Sequence, residues 1–249
     1  MEGSRLLGLL GHTVSHSKSP ELFKAKLSSI NRHEVVYQAF DLEFISNFPE
    51  FCKSHPDLFG FNVTIPHKES IIPFLDSLSE EASAIGAVNT VVKTSSGWKG
   101  YNTDSFGFRR SLQPFIKGRH ERALIFGSGG ASKAVAHALK DLGISTTIIS
   151  RSPSLDQIPY TDLTPEGLSH HLLLVNCTPL GTAPHIEGCI DLPWSGVGKR
   201  HLAVDLVYNP EITTFMKRAS SQGAQVINGA DMLRLQAKKS LEIWLENGL

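Results

Sequence analysis

Ala123-Leu124-Ile125-Phe126-Gly127-Ser128-Gly129-Gly130-Ala131-Ser132 decides how the second half of this chain folds. A short apolar run of strand length breaks at a glycine cluster, and helical periodicity follows at once over 132–142. Strand, glycine turn and helix in that order suit a dinucleotide. Gly127 allows the tight turn, Gly129 lets main-chain N–H groups approach a pyrophosphate, and the helix N-terminus adds partial positive charge. Ser128, Gly130 and Ala131 make up the rest of the turn. The third fingerprint position holds Ser132 rather than Gly or Ala, so an ordinary tight turn is the competing reading. The following strand separates the cofactors. It ends Ile148-Ile149-Ser150-Arg151-Ser152, where an NAD site would place an acid for the ribose 2′-OH, and Asp141 falls too early, inside the helix. Arg151 can grip a 2′-phosphate through two parallel hydrogen bonds, with Ser150 and Ser152 beside it. A surface arginine in a turn is the alternative; the pattern favours NADP.

Working outward, strands are expected at 172–175, 201–205 and 224–227, then a long amphipathic helix over 232–247 with Leu233, Leu241, Trp244 and Leu245 on one side. On the N-terminal side, Lys117-Gly118-Arg119 reads as a linker, preceded by a helix over 105–115. The first hundred residues also alternate. Strands are expected at 6–10, 34–40 and 59–63, with helices at 19–30, 44–53, 67–75 and 79–85. Two more strands, at 87–92 and 98–101, join through Ser95-Ser96-Gly97. The fold class expected is α/β in two domains. Residues 1–104 plus 231–249 form a substrate-binding domain with a mostly parallel sheet, and 105–230 a Rossmann-like NADP-binding domain.

The first of these carries a second constellation, Asn62-Val63-Thr64-Ile65-Pro66-His67-Lys68-Glu69. Asn62 and Thr64 are two apart on an apolar strand and share a face, and Lys68 follows near the start of the helix expected at 67–75. Asn, Thr and Lys turned the same way add little to stability and suit a hydroxylated ligand. A matching acid arrives at Asp104 in Asn102-Thr103-Asp104. Ser17 and Ser19, beside the free N–H groups of the helix at 19–30, could receive a carboxylate. The simpler reading of Ser19 is the helix cap, and Asp104 has the same ambiguity. Asn89 lies in an otherwise apolar strand, where an unliganded Asn needs several internal partners. Met232 and Gln236 share a helical face, which for Met232 alone reads as core.

Composition excludes more than it proves. Twenty-four basic residues balance 24 acidic ones in 249 residues, which argues against nucleic acid or an anionic membrane as partner. Apolar residues at 41% are enough for a sizeable core. Cys52, Cys177 and Cys189 show no paired framework, which points to a reducing cytoplasm. Arg5 to Gly11 is too short and glycine-broken for a signal or a membrane span. The 11 histidines lack ligand spacing, so no metal is expected.

These blocks, with His16-Ser17-Lys18-Ser19-Pro20, Gly86-Ala87-Val88-Asn89-Thr90, Asn176-Cys177-Thr178-Pro179-Leu180-Gly181 and Asn228-Gly229-Ala230-Asp231-Met232-Leu233, resemble the shikimate dehydrogenase family in family order along essentially the whole chain. The resemblance implies NADPH-dependent reduction of 3-dehydroshikimate to shikimate in aromatic amino-acid biosynthesis, by a cytoplasmic monomer or homodimer. It implies that Ser17 and Ser19 hold the substrate carboxylate with help from Tyr208. Asn62, Thr64, Asn89, Asp104 and Gln236 would line the ring hydroxyls. Lys68 and Asp104 would be the catalytic pair. Leu206, Gly229 and Met232 would lie near the nicotinamide, and Glu80 matches an occasional cofactor contact. The chain departs from the family at Thr13, commonly Pro, and at Ser150 and Ser152, commonly Asn and Thr. His67 stands where an aromatic residue is frequent. The stretch from Arg151 to His171 is short, which suggests a missing or shortened helix. The runner-up readings are a quinate/shikimate dehydrogenase with relaxed substrate or cofactor choice, and a catalytically weak metabolite-binding homologue.

Overall fold

The computed structural model describes residues 5–249. Two compact units make up the chain, one running to Thr103 and resuming at Gln236–Leu249, the other Asp104–Leu235.

The first unit contains β1 (Arg5–Gly11), α1 (Ser19–Ser29), β2 (Val35–Asp41), α2 (Phe48–Ser54), β3 (Leu58–Val63), β4 (Ser77–Leu78), α3 (Glu80–Ile85), β5 (Thr90–Thr94) and β6 (Gly97–Tyr101). Its sheet runs β2-β1-β3-β5-β6-β4. β1 pairs in parallel with β2 and β3, and β4 with β6, whereas β5 is antiparallel to both neighbours. Leu6 and Leu10 of β1 pack with Phe61 and Val63 on one face. Leu7 and Leu9 pack on the other with Phe23, Tyr37 and Trp244. Burial on both faces explains why β1 reads as an unbroken apolar run. Gly60 is needed for close approach. A Cβ there would come within 2.5 Å of the Trp244 indole nitrogen, which donates to the Val91 carbonyl at 2.9 Å.

Three expectations fail here. Ser19 is the first helical residue of α1 and Lys18 stands at the cap; the Ser17 hydroxyl accepts the Ser19 N–H at 3.2 Å. No α-helix forms over 67–75. The chain turns, and a 3-10 turn follows at Ile72–Phe74, because Pro73 has no N–H to continue a helix. The strand expected from Ala87 begins only at Thr90.

The second unit contains α4 (Asp104–Leu112), β7 (Arg122–Phe126), α5 (Gly130–Asp141), β8 (Ser145–Ser150), β9 (Gln157–Pro159), α6 (Pro165–His170), β10 (Leu173–Asn176), β11 (Leu202–Asp205), α7 (Thr214–Ser221) and β12 (Gln225–Ile227). α8 (Ala230–Glu246) starts in this unit, and its residues from Gln236 belong to the first. All pairings in its sheet are parallel, in the order β9-β8-β7-β10-β11-β12. Numbered within the unit that is 3-2-1-4-5-6, the doubly wound order whose switch point lies between β7 and β10. Leu124, Phe126, Leu174 and Ala203 fill one face, and Ala123, Ile125, Leu173, Val175, Leu202 and Val204 the other. Only residues 151–156 join β8 to β9, with no helix, far shorter than an ordinary parallel crossover. β9, α6 and α7 were not expected from the sequence. No described helix is long and apolar enough to cross a membrane.

Candidate active site

Lys68 sits in the turn after β3, and main-chain hydrogen bonds fix that turn. Thr64 N–H donates to the Leu10 carbonyl, His12 N–H to the Ile65 carbonyl, and Val88 N–H to the Lys68 carbonyl at 2.7 Å. Gly11 leaves room for this, since a Cβ on it would lie 2.4 Å from the Thr64 methyl. Lys68 and Thr64 are half-buried, and Ser19 is buried. His67 is buried with its Nε2 hydrogen-bonded to the Leu42 carbonyl, which fixes the tautomer that carries the proton there.

Beside this turn lies a polar network inside the first unit. Asn62 donates through Nδ2 to the Asn89 carbonyl (3.1 Å), the Thr90 hydroxyl (3.1 Å) and the Ser240 hydroxyl (3.0 Å). Its Oδ1 accepts the Tyr37 hydroxyl at 2.9 Å. Burial holds the Tyr37 phenol well above its ordinary range, so it stays a donor. Asn89 accepts the Thr103 N–H at 2.7 Å and donates to the Thr103 hydroxyl at 2.9 Å and to Gln236 Oε1 at 3.4 Å. Ser240 bridges the Thr90 hydroxyl (2.8 Å) and the Gln236 carbonyl (3.0 Å). Two buried asparagines thus have the internal partners that burial demands.

In the second unit Gly127 has φ +110°, a conformation open to glycine alone at little cost, and its N–H donates to the Ile149 carbonyl. Gly129 caps α5 in extended conformation, and nothing lies within 4 Å of where its Cβ would be. That is the open approach a pyrophosphate needs at a helix N-terminus. The turn meets the end of β10 at the switch point, where Cys177 N–H donates to the Phe126 carbonyl. Ser128 and Ser150 are joined hydroxyl to hydroxyl at 3.1 Å, and Ser150 accepts the Ser152 N–H. Arg151 and Ser152 are exposed. Burial pushes the Tyr160 phenol up to about 12 while the Arg151 cation pulls the other way. Gly229 is required by its neighbour: a Cβ there would lie 2.0 Å from the Leu206 carbonyl oxygen. Met232 is buried in the cluster against which Leu206 and Cys177 pack.

Residues 9–91 match the family model described as the shikimate dehydrogenase substrate binding domain. The NADP-dependent shikimate dehydrogenase of Crocosphaera subtropica is 36% identical, over 98% of this chain and 91% of that protein. The chain belongs to the shikimate dehydrogenase family. A solved shikimate dehydrogenase from Aquifex aeolicus superposes with TM-score 0.87 at 30% identity, covering 99% of this chain and 94% of that one. The shikimate 5-dehydrogenase of Thermus thermophilus, solved in complex with NADP(H) and shikimate, superposes with TM-score 0.85 at 32% identity, covering 97% and 94%. The second unit accordingly has the Rossmann-like architecture of shikimate dehydrogenases.

Within this chain the residues singled out from sequence fall into two sets. Asn62, Asn89 and Gln236 meet in the first unit, with Thr64 and Lys68 on the adjoining turn. Gly127, Ser128, Gly129, Gly130, Ala131 and Ser150 meet at the switch point of the second, and Leu206 and Gly229 touch each other beyond the ends of β11 and β12. Asp104 is the buried first residue of α4, Tyr208 is half-buried after β11, and Glu80 is the exposed first residue of α3. The structure adds Tyr37, Thr90, Thr103 and Ser240, all buried: Thr90 and Thr103 lie inside quoted blocks but had no role of their own there, Ser240 stands one helical turn beyond Gln236, and Tyr37 gives no signal in the sequence.

Proposed function

We propose that this chain catalyses the NADPH-dependent reduction of 3-dehydroshikimate to shikimate, with residues 1–104 plus 231–249 as the substrate-binding domain and 105–230 as the NADP-binding domain. The observation that carries the reading is the likeness to NADP-dependent shikimate dehydrogenases along nearly the full length of the chain. Ser17 and Ser19 take the substrate carboxylate, with Tyr208 assigned to the same group. Asn62, Thr64, Asn89, Asp104 and Gln236 take ring hydroxyls, and Asn62 also holds the Asn89 main chain through its carbonyl. Lys68 delivers the proton that the carbonyl oxygen gains, and Asp104 keeps the lysine charged and oriented. Bound NADPH supplies the hydride. The cofactor is held by Gly127 to Ala131, with Ser150, Arg151 and Ser152 around its 2′-phosphate and Leu206, Gly229 and Met232 toward the nicotinamide. Glu80 is kept as an outer contact. The three free cysteines support a reducing cytoplasm, and the assembly is a monomer or homodimer, which light scattering distinguishes.

The test is the reduced-nicotinamide absorbance with shikimate, run with NADP and NAD side by side and with quinate as a second alcohol. A strong signal with NADP and shikimate is expected. Folded protein that gives none with either cofactor would move the reading to a metabolite-binding homologue. Arg151→Ala should raise KM for NADP roughly ten- to thirtyfold, at the low end for a charge-assisted contact because the guanidinium is exposed, and leave NAD within about twofold. Equal losses with both cofactors would mean that the arginine does not read the phosphate.

A further inference from the structure

The loop between β1 and α1 carries a backbone oddity. Thr13 has φ +59° and ψ +44°, the left-handed region, which a β-branched residue adopts only when something holds it there. What holds it is Asp41, the last residue of β2. Its carboxylate accepts the Thr13 N–H through both oxygens, at 3.2 and 3.1 Å, and His12 Nδ1 lies 3.1 Å from Oδ1. Three successive residues are thereby tied as the chain leaves β1. The Gly11 carbonyl accepts the Leu42 N–H at 2.7 Å, the His12 N–H donates to the Ile65 carbonyl, and the Thr13 N–H goes to Asp41. From that point the chain passes to Ser17, whose N–H returns to the Val14 carbonyl and whose hydroxyl accepts from Ser19.

We propose that Asp41 is a positioning residue for substrate: by holding Thr13 in the left-handed conformation it sets the path of the loop that presents Ser17 and Ser19. This rests on the reading of those two serines as ligands of the substrate carboxylate. Asp41 itself touches no reacting atom. The His12–Asp41 contact contributes little, because both side chains are about half exposed (48% and 53%) and water screens them. The hold on the Thr13 N–H is the part that matters, since a carboxylate binds a main-chain donor more strongly than a neutral acceptor does. Glycine populates the left-handed region unaided, so it replaces the hold without Asp41.

The experiment compares Asp41→Ala, Thr13→Gly and the double variant in NADP-dependent shikimate oxidation. Asp41→Ala is expected to raise KM for shikimate roughly fivefold, leaving kcat and KM for NADP within about twofold. Adding Thr13→Gly should return the shikimate KM to near wild type. A wild-type KM in Asp41→Ala, or no recovery in the double variant, overturns the proposal. Hydrogen exchange over residues 12–19 without substrate reads the same hold directly: it should quicken in Asp41→Ala, and unchanged exchange is equally fatal. Ser17→Ala serves as the control. If it leaves the shikimate KM untouched while Asp41→Ala still quickens exchange, the reading of the serines has failed and the Asp41–Thr13 hold stands.

Discussion

Lys68→Ala is expected to lower kcat for shikimate oxidation by about 10²–10⁴ while KM for shikimate changes only a few-fold. The size follows from the chemistry. As hydride reaches the ketone carbon, negative charge grows on oxygen, and an ammonium placed there both stabilises that charge and supplies the proton. In the oxidation direction the same group removes the hydroxyl proton. Ground-state binding depends far less on it, because hydroxyls and carboxylate have other partners. The path of the turn rests on main-chain hydrogen bonds of Lys68, Thr64 and His67, which the substitution keeps. A thermal melt followed by circular dichroism checks that the variant is folded. If KM rises in proportion and kcat is retained, Lys68 is a binding residue and the proton travels by another group.

The legibility of the fold follows how local each signal is. The β7–turn–α5 segment was readable because strand, positive-φ glycine and helix start all lie within ten or so residues, and each has its own residue preference. β9 was not. Gln157–Pro159 contains a proline, has no alternation, and is a strand only because β8 lies alongside it. The helix expected over 67–75 does not form because Pro73, which has no N–H to donate, interrupts an apolar spacing that otherwise suits one. α7 left signals that could have been used: Thr213 accepts the Met216 N–H as an N-cap, and Phe215, Met216 and Ala219 are buried at helical spacing.

The same distinction runs through the site. Lys68, Thr64 and the glycine turn stood out because each is an unusual residue in its local pattern. The partners of Asn62 and Asn89 did not, since Thr90, Thr103 and Ser240 are ordinary in their own segments and meet only after folding; Ser240 lies 178 residues from Asn62. Asp205 was missed for another reason. It closes the buried strand Leu202–Asp205, and an acid at a strand end reads as a turn residue. In the structure it is fully buried. Its Oδ1 accepts Asn176 Nδ2 at 2.9 Å and the Val207 N–H at 3.0 Å, and its Oδ2 the Thr213 hydroxyl at 2.6 Å.

That burial gives the second large effect. Desolvation pushes the Asp205 carboxyl up to about 6 from an ordinary 3.8, against the hydrogen bonds from Thr213, Val207 and Asn176, which lower it. Between those two values the folded protein holds a proton that the unfolded chain has released. Stability from this group therefore falls as pH rises from about 4 to about 6, and the loss is complete above that. Two units at 1.36 kcal/mol each make the full difference about 3 kcal/mol. Asp205→Asn removes the titration and keeps the geometry: the amide oxygen accepts from Val207 and Asn176, and its NH₂ donates to Thr213. Urea unfolding of both proteins from pH 4 to 7.5 isolates the effect from every other group. Relative to wild type, the variant should gain about 2–3 kcal/mol across that range, whatever its stability at pH 4. Parallel curves would mean that the carboxylate is solvated as well in the fold as outside it, and that its three donors fully offset its burial.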